Sequence, residues 1–243
     1  MELTAGNSAR QLARIAGGLY LVNIVGGAFA IGYVPAMLVV SGNAGVTAHN
    51  IQANELLYRS GLVAHLIITV TNIPLAVIFY DLFKVVNRRV ALMVVFFTLV
   101  GTAVESANLL NQFTPLVLLD SGSLSALTAE QLKALAYVPI GLQVISYTIS
   151  GVFFGFYGLC IGYLVFRSTF LPRVIGVLLA LGASCYLIYS FASFLSPEFA
   201  GHLVPYIQLP SLVGEGSFCL WLLIAGVNVR RWDDSAIRAQ LVR

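Results

Sequence analysis

Six apolar stretches, each long enough to cross a membrane as a helix, run through the 243 residues at about Ile15–Leu38, Leu57–Phe83, Val90–Phe113, Ala136–Phe166, Leu171–Leu195 and Ile207–Val229. A helix needs about 20 apolar residues to cross a hydrocarbon layer of ~30 Å, and each stretch meets that length. Within lipid every backbone N–H and C=O must be paired inside the chain, so only helices and closed barrels survive there. Barrel strands alternate apolar and polar residues. The run Ala91–Val100 is apolar on every face, so the spans are helices. Composition closes the soluble alternative: 59% of residues are hydrophobic and 9% are charged, against about 25% charged in a typical soluble domain. The fold class is all-α, a six-transmembrane-helix bundle forming one domain over residues 1–243.

The thirteen basic residues set the orientation. Arg10 and Arg14 precede the first span, and Lys84, Arg88 and Arg89 lie between the second and third. Arg167 and Arg173 flank the turn between the fourth and fifth. Arg230, Arg231, Arg238 and Arg243 follow the sixth. Only Arg59 and Lys133 fall on the other side. By the positive-inside rule the crowded side is cytoplasmic, with both termini there, and the protein is expected in the inner (plasma) membrane. The net charge of +3 is this asymmetry. No basic patch is interleaved with exposed aromatics, so no nucleic-acid partner is expected. Arg10, Arg14 and Ala28-Phe29-Ala30 resemble a cleavable secretory signal, but apolar sequence continues to Val40, which favours an uncleaved first helix. Cys160, Cys185 and Cys219 all fall within spans, with no CxxC, and read as buried thiols.

The connections on the outer side are the longer ones: Val39–Leu56, Thr114–Leu135 and Ser196–Tyr206. Thr128 with Gln131 matches a capping box, so a helix starts there and runs into the fourth span. Ser196-Pro197 predicts a short external helix. Thr47–Leu57 is expected to extend the second helix outward, with Glu55 and Arg59 at i,i+4 spacing. Asp81 with Lys84 reads as a pair at the inner end of the second span. Pro35, Pro74 and Pro139 should kink or loosen their helices. In the fourth span Gly151, Gly155, Gly158 and Gly162 form a small-residue stripe that lets two helix backbones approach. That stripe serves a helix of the same chain or, alternatively, an oligomer contact.

Ionisable groups inside a span are expensive, so they face the protein interior or a wet cavity. Glu105 in the third span, Glu215 in the sixth and His65 in the second are such groups. At ~1.5 Å per residue all three fall in the outer half of the membrane. Each lies on a polar stripe of a 100° wheel. Tyr58, Gly61, His65, Thr69, Asn72 and Ala76 align in the second span, and Thr98, Gly101, Glu105, Asn108 and Gln112 in the third. Gln143, Tyr147, Ser150, Phe154 and Tyr157 align in the fourth, and Ser211, Gly214, Glu215 and Phe218 in the sixth. The expected candidate site is an outward-facing polar cluster of Glu105, Glu215, His65, Asn72, Asn108 and Gln143, with Arg59 and Asn54 at its outer rim and Arg59 the available counter-charge. A satisfied hydrogen-bond network that only fixes helix order is the alternative.

Other chemistry leaves no signature. There is no GxSxG elbow, no glycine-rich phosphate loop and no Walker motif. His49, His65 and His202 do not make an HxxxH pattern, so neither a metal nor any other cofactor is expected. Several stretches resemble an uncharacterised bacterial family of polytopic membrane proteins, domain of unknown function 4386. They are Arg14–Tyr20 (RIAGGLY), Asn50–Glu55 (NIQANE) with Arg59, Phe153–Gly155, Gly162–Ser168 (GYLVFRS), Leu171–Val177 (LPRVIGV), and Gly214-Glu215 followed by Leu220–Leu223 (LWLL). The resemblance implies about six membrane helices and no assigned activity. It directs attention to Asn50, Asn54, Glu55, Arg59 and Glu215. The expected role, with the lipid bilayer as surroundings, is to bind or pass a small or lipid-like ligand through the polar cavity. The rivals are an intramembrane enzyme using Glu105, Glu215 and His65 as acid–base groups, and a membrane scaffold assembling through the glycine stripe.

Overall fold

A computed structural model describes residues 5–120 and 127–241. Arg243, and residues 121–126 of the second outer connection, lie outside the described residues. All regular structure described is helical, in ten α-helices: α1 Ala5–Gly27, α2 Val34–Leu38, α3 Ala44–Ala53, α4 Glu55–Phe83, α5 Arg88–Leu119, α6 Ala129–Arg167, α7 Arg173–Leu195, α8 Pro197–Leu203, α9 Leu209–Ile224 and α10 Val229–Leu241. Six stretches are long and apolar enough to cross a membrane: Asn7–Leu38, Glu55–Phe83, Arg88–Leu119, Ala129–Arg167, Arg173–Leu195 and Tyr206–Ile224. They coincide with the six spans expected from the sequence.

Exposure follows the rule for lipid rather than water. Leu66, Val70, Ile73 and Val77 of α4 and Phe96 and Val100 of α5 are exposed, while His65, Glu105, Asn108 and Gln112 are buried. A soluble protein rarely exposes an apolar surface this continuous. In lipid it has no aqueous penalty, and the polar groups are the ones that need shelter. The polar stripes are indeed interior faces: Tyr58, His65, Thr69, Asn72, Thr98, Glu105, Asn108, Gln112, Ser150, Ser211 and Phe218 are all buried. Together these features point to a multi-pass membrane protein.

The helix ends follow local chemistry. Thr128 and Gln131 cap each other reciprocally, Gln131 N to Thr128 Oγ1 at 3.3 Å and Thr128 N to Gln131 Oε1 at 2.9 Å. The helix they start, α6, runs unbroken for 39 residues, which is about 58 Å at ~1.5 Å per residue and longer than a bilayer core. α1 is joined to α2 through a wider π-helical stretch, Ala28–Tyr33, just ahead of Pro35. The wider turn accommodates a ring that would clash with a normal preceding turn. Pro74, Pro115 and Pro139 stay inside α4, α5 and α6. The outward extension of the second span is not continuous. It breaks at Asn54 (φ −126°, ψ 43°), which separates α3 from α4; its backbone N–H and its Nδ2 both donate to the Asn50 carbonyl, at 3.0 and 3.1 Å.

The chain divides into two compact units. Residues 1–22, 71–101 and 149–243 form the first, to which α7, α8, α9 and α10 belong whole. Its helices meet at glycines. A Cβ on Gly155 would lie 2.7 Å from the Leu187 side chain, one on Gly158 2.8 Å from Ala183 Cβ, and one on Gly162 2.9 Å from Ala180 N; Gly151 faces Ser190 in the same way. The small-residue stripe of α6 therefore packs against α7 of the same chain. Gly182 and Gly214 bring α7 and α9 to backbone contact, and Gly17 does so for α1 and α9. Tyr20, Phe79, Phe83, Phe170 and Phe218 form the aromatic core of this unit. α9 ends at Gly226 (φ 67°), whose N–H bonds to the Trp221 carbonyl in the left-handed stop glycine favours, while Arg14 Nη2 donates to the Ile224 carbonyl at 3.1 Å.

The second unit, residues 23–70 and 102–148, has its own core of Val34, Leu38, Ile51 and Tyr58, packed by Phe29, Leu57, Leu62, Leu116, Leu119 and Ile140. Side-chain hydrogen bonds hold its connections. Asn43 caps α3 by accepting from Val46 N, Gly42 N donates to Tyr137 Oη, and Gln52 reaches the Leu119 carbonyl.

Candidate functional site

The second unit holds the most unusual polar group in the molecule. His65 is wholly buried on α4. Its Nδ1 lies 3.1 Å from Gln112 Oε1 of α5 and 3.3 Å from Tyr147 Oη of α6, with the Tyr147 ring tilted against the imidazole at 5.6 Å. In the neutral imidazole, with Gln112 Oε1 as acceptor, Nδ1 would carry the proton and Nε2 would present a lone pair. Nε2 has no hydrogen-bond partner among the described residues. Its nearest charged neighbour is Glu105 Oε2 at 3.8 Å, beyond hydrogen-bond length. A buried polar atom left unpaired costs about 1–3 kcal/mol, so such an atom calls for an explanation.

Hydrogen bonds between helices frame it. Tyr58 Oη donates to the Gln112 carbonyl at 2.7 Å, in a stretch of α5 that Pro115 loosens. Asn108 Nδ2 donates to the Gln143 carbonyl at 3.3 Å, and Asn108 Oδ1 accepts from Asn111 Nδ2 at 3.1 Å. The Gln143 side chain bonds the Tyr147 hydroxyl. Three helices are thus tied together around one imidazole. The polar face of the site is the unpaired Nε2 beside the Glu105 carboxyl group. That pair suits a hydrogen-bond donor, a hydroxyl or an amine, or a shared proton.

Glu215 belongs to the other unit. The hydroxyls of Tyr20 and Tyr186 donate to its carboxyl group, and Tyr157 is hydrogen-bonded to Tyr20. This carboxyl is met by hydroxyls, and its flanking Gly214 packs against the Leu178 backbone of α7. The remaining candidates divide. Asn108 and Gln143 join the His65 cluster, and Asn72 is buried on the same face of α4 but among the residues of the first unit. Asn54 is engaged with Asn50. Arg59, expected to balance a buried glutamate, instead pairs with Glu55, Nε to Oε1 at 2.6 Å, about half exposed on both sides. The i,i+4 neighbour on the same helix face is closer and needs no desolvation.

The sequence reading did not single out Gln112 and Tyr147 as site residues, although both lie on the polar stripes. It also passed over Tyr20 and Tyr186. The available signal was that a tyrosine in an apolar span needs a partner for its hydroxyl. The six apolar spans and the sheltered polar interior define an all-helical, multi-pass membrane protein. The model of the family described as Domain of unknown function (DUF4386) matches residues 15–226, and the chain belongs to that family. The curated proteins and the solved structures yield no match.

Proposed function

We propose that this protein binds a small or lipid-like ligand bearing a hydroxyl or amine group, through the His65 cluster, within the inner membrane and with both termini in the cytoplasm. One observation carries the reading: the unpartnered Nε2 of a wholly buried histidine, 3.8 Å from a carboxylate oxygen. An amine nitrogen set about 2.8 Å from both could donate to each, whereas a hydroxyl, with one proton, would donate to one of them. Intramembrane ionisable residues are functional by default. The acid–base alternative draws on the same pair, with the proton held between imidazole and carboxylate. The scaffold alternative loses support because the α6 glycines face α7 of the same chain.

Thermal-shift screening of the detergent-purified protein against small alcohols and amines tests the binding reading. At least one compound should stabilise the wild type and leave folded His65→Phe and Glu105→Gln unmoved. Equal shifts in all three proteins would end this assignment. The orientation rests on eleven of thirteen basic residues lying on one side. Reporters fused after Arg243 should read as cytoplasmic and reporters beside Lys133 as external; the reverse pattern would overturn it.

A further inference from the structure

A second feature, independent of the His65 cluster, lies in the first unit, where α10 docks beside the turn between α6 and α7. A cleft of about 580 Å³ opens there, lined by Ser168, Thr169, Arg173, Arg231, Asp234, Ser235 and Arg238 with Leu171 and Pro172. Its walls are fixed by named contacts. Trp232 Nε1 donates to the Leu82 carbonyl at 3.1 Å, and Asn228 N donates to the Phe170 carbonyl at 3.2 Å. Thr169 Oγ1 and Ser235 Oγ lie 3.3 Å apart across the cleft. Arg231 Nη1 donates to the Thr169 carbonyl at 3.1 Å, and the Arg173 guanidinium lies 5.9 Å from the centre of the Phe166 ring. Both arginines are therefore positioned, and both bind neutral groups.

Three guanidinium groups line the cleft against one carboxylate. Among the described residues none of the three pairs with a carboxylate within 4.0 Å. Guanidinium forks and hydroxyls are the donors that recognise phosphate oxygens. The first turn of α7 opens into the same cleft and adds its partial positive charge. The helix that forms the outer wall has the character of an interfacial element: Ile237 and Leu241 are exposed on it, one turn apart, beside the arginines. Helices of this pattern lie at the headgroup boundary, with apolar residues reaching the acyl chains and basic residues meeting anionic headgroups. We infer that this cleft binds the phosphate of an anionic phospholipid, with α10 lying along the membrane surface beside it.

Native mass spectrometry of the detergent-solubilised protein, titrated with dioleoyl phosphatidic acid or dioleoyl phosphatidylcholine, tests this. Phosphatidic acid should bind in preference. Each basic residue near an anionic surface contributes about fivefold in binding, so Arg173→Gln with Arg238→Gln should weaken the phosphatidic acid adduct on the order of twentyfold. Arg88→Gln with Arg89→Gln removes the same charge from another basic turn and should change it less than about twofold. Asp234→Asn removes the one carboxylate of the cleft and should tighten binding about fivefold; it keeps the proposal testable if the double arginine variant fails to fold. Absence of preference for the anionic lipid, equal losses in the two double variants, or no tightening in Asp234→Asn would each overturn the inference. Millimolar sodium phosphate distinguishes the two sources of phosphate. If it fails to displace the lipid the lipid assignment stands, and if it displaces the lipid completely the cleft is a free-anion site and the lipid assignment falls.

Discussion

Glu105 and Glu215, glutamates inside the apolar helices α5 and α9, sit in different company. Glu215, in the first unit, is met by the hydroxyls of Tyr20 and Tyr186, with Tyr157 behind them. Glu105, in the second, lies beside an imidazole whose Nε2 is unpartnered among the described residues. The packing around them differs in the same sense. In the first unit a Cβ on Gly214 would lie 2.7 Å from the Leu178 carbonyl, and one on Gly17 2.5 Å from Leu223 N. These are backbone atoms that cannot move aside. In the second unit a Cβ on Gly61 would meet only the Val34 side chain at 3.2 Å, and one on Gly26 the Ile68 side chain at 3.0 Å. Tight backbone contact with completed hydrogen bonds fixes a structure. Side-chain contact with one incomplete bond leaves a place where a ligand can act.

The largest effect should come from the glycines. Gly214→Ala puts a methyl group against backbone and should cost about 1–3 kcal/mol or more, while Gly61→Ala should cost clearly less, because Val34 can shift by a few tenths of an ångström. The same logic separates Gly155→Leu, which drives into Leu187, from Gly45→Leu, whose nearest contact is the Asn43 side chain at 3.7 Å. Thermal unfolding in detergent compares each pair. Equal losses would remove the contrast between the units.

The two glutamates provide the next test. Glu215→Gln leaves one acceptor oxygen for two tyrosine hydroxyls and should destabilise by about 1 kcal/mol, the usual net value of one hydrogen bond, with ligand-induced stabilisation unchanged. Glu105→Gln should cost no more than about 1 kcal/mol and abolish that stabilisation. Interchanged outcomes would move the site to Glu215.

Much of this was legible in the sequence because the membrane imposes strict rules. Span lengths, the polar faces of α4, α5, α6 and α9, the capping box at Thr128 and the Glu55–Arg59 spacing all follow from local chemistry, and the structure shows each. What escaped was side-chain assembly between helices. A wheel places His65 and Glu105 on interior faces, but only the packed helices reveal that Gln112 and Tyr147 reach the imidazole. The same limit hid the tyrosines around Glu215. The break at Asn54 was missed for another reason: it is one residue with non-helical backbone angles (φ −126°, ψ 43°) inside a helix-compatible sequence.

A smaller effect probes the imidazole frame. Gln112→Leu removes the nearer partner of Nδ1 and leaves the Tyr147 hydroxyl at 3.3 Å, at a cost of about 0.5–1 kcal/mol. His65→Leu combined with Gln112→Leu removes both partners and should be closer to wild type than Gln112→Leu alone. An additive pair of losses in the double-mutant cycle would show that the two side chains do not interact.

The smallest effect belongs to Arg59, and it decides whether the cationic rim matters to the buried site. Its guanidinium is bonded to Glu55 on the surface of α4, with both side chains about half exposed. Exposed pairs of this kind contribute about 0–1 kcal/mol, because solvent screens them and two long side chains must be held in place. Arg59→Ala and Glu55→Ala should therefore each lower stability by less than about 1 kcal/mol, and the double variant by no more than the larger single loss. Neither should alter the ligand-induced shift that His65→Phe and Glu105→Gln are expected to abolish. If Arg59→Ala alone removes that shift while Glu55→Ala preserves it, the arginine acts on the buried glutamate after all, and the His65 cluster extends to the outer rim that the sequence first assigned to it.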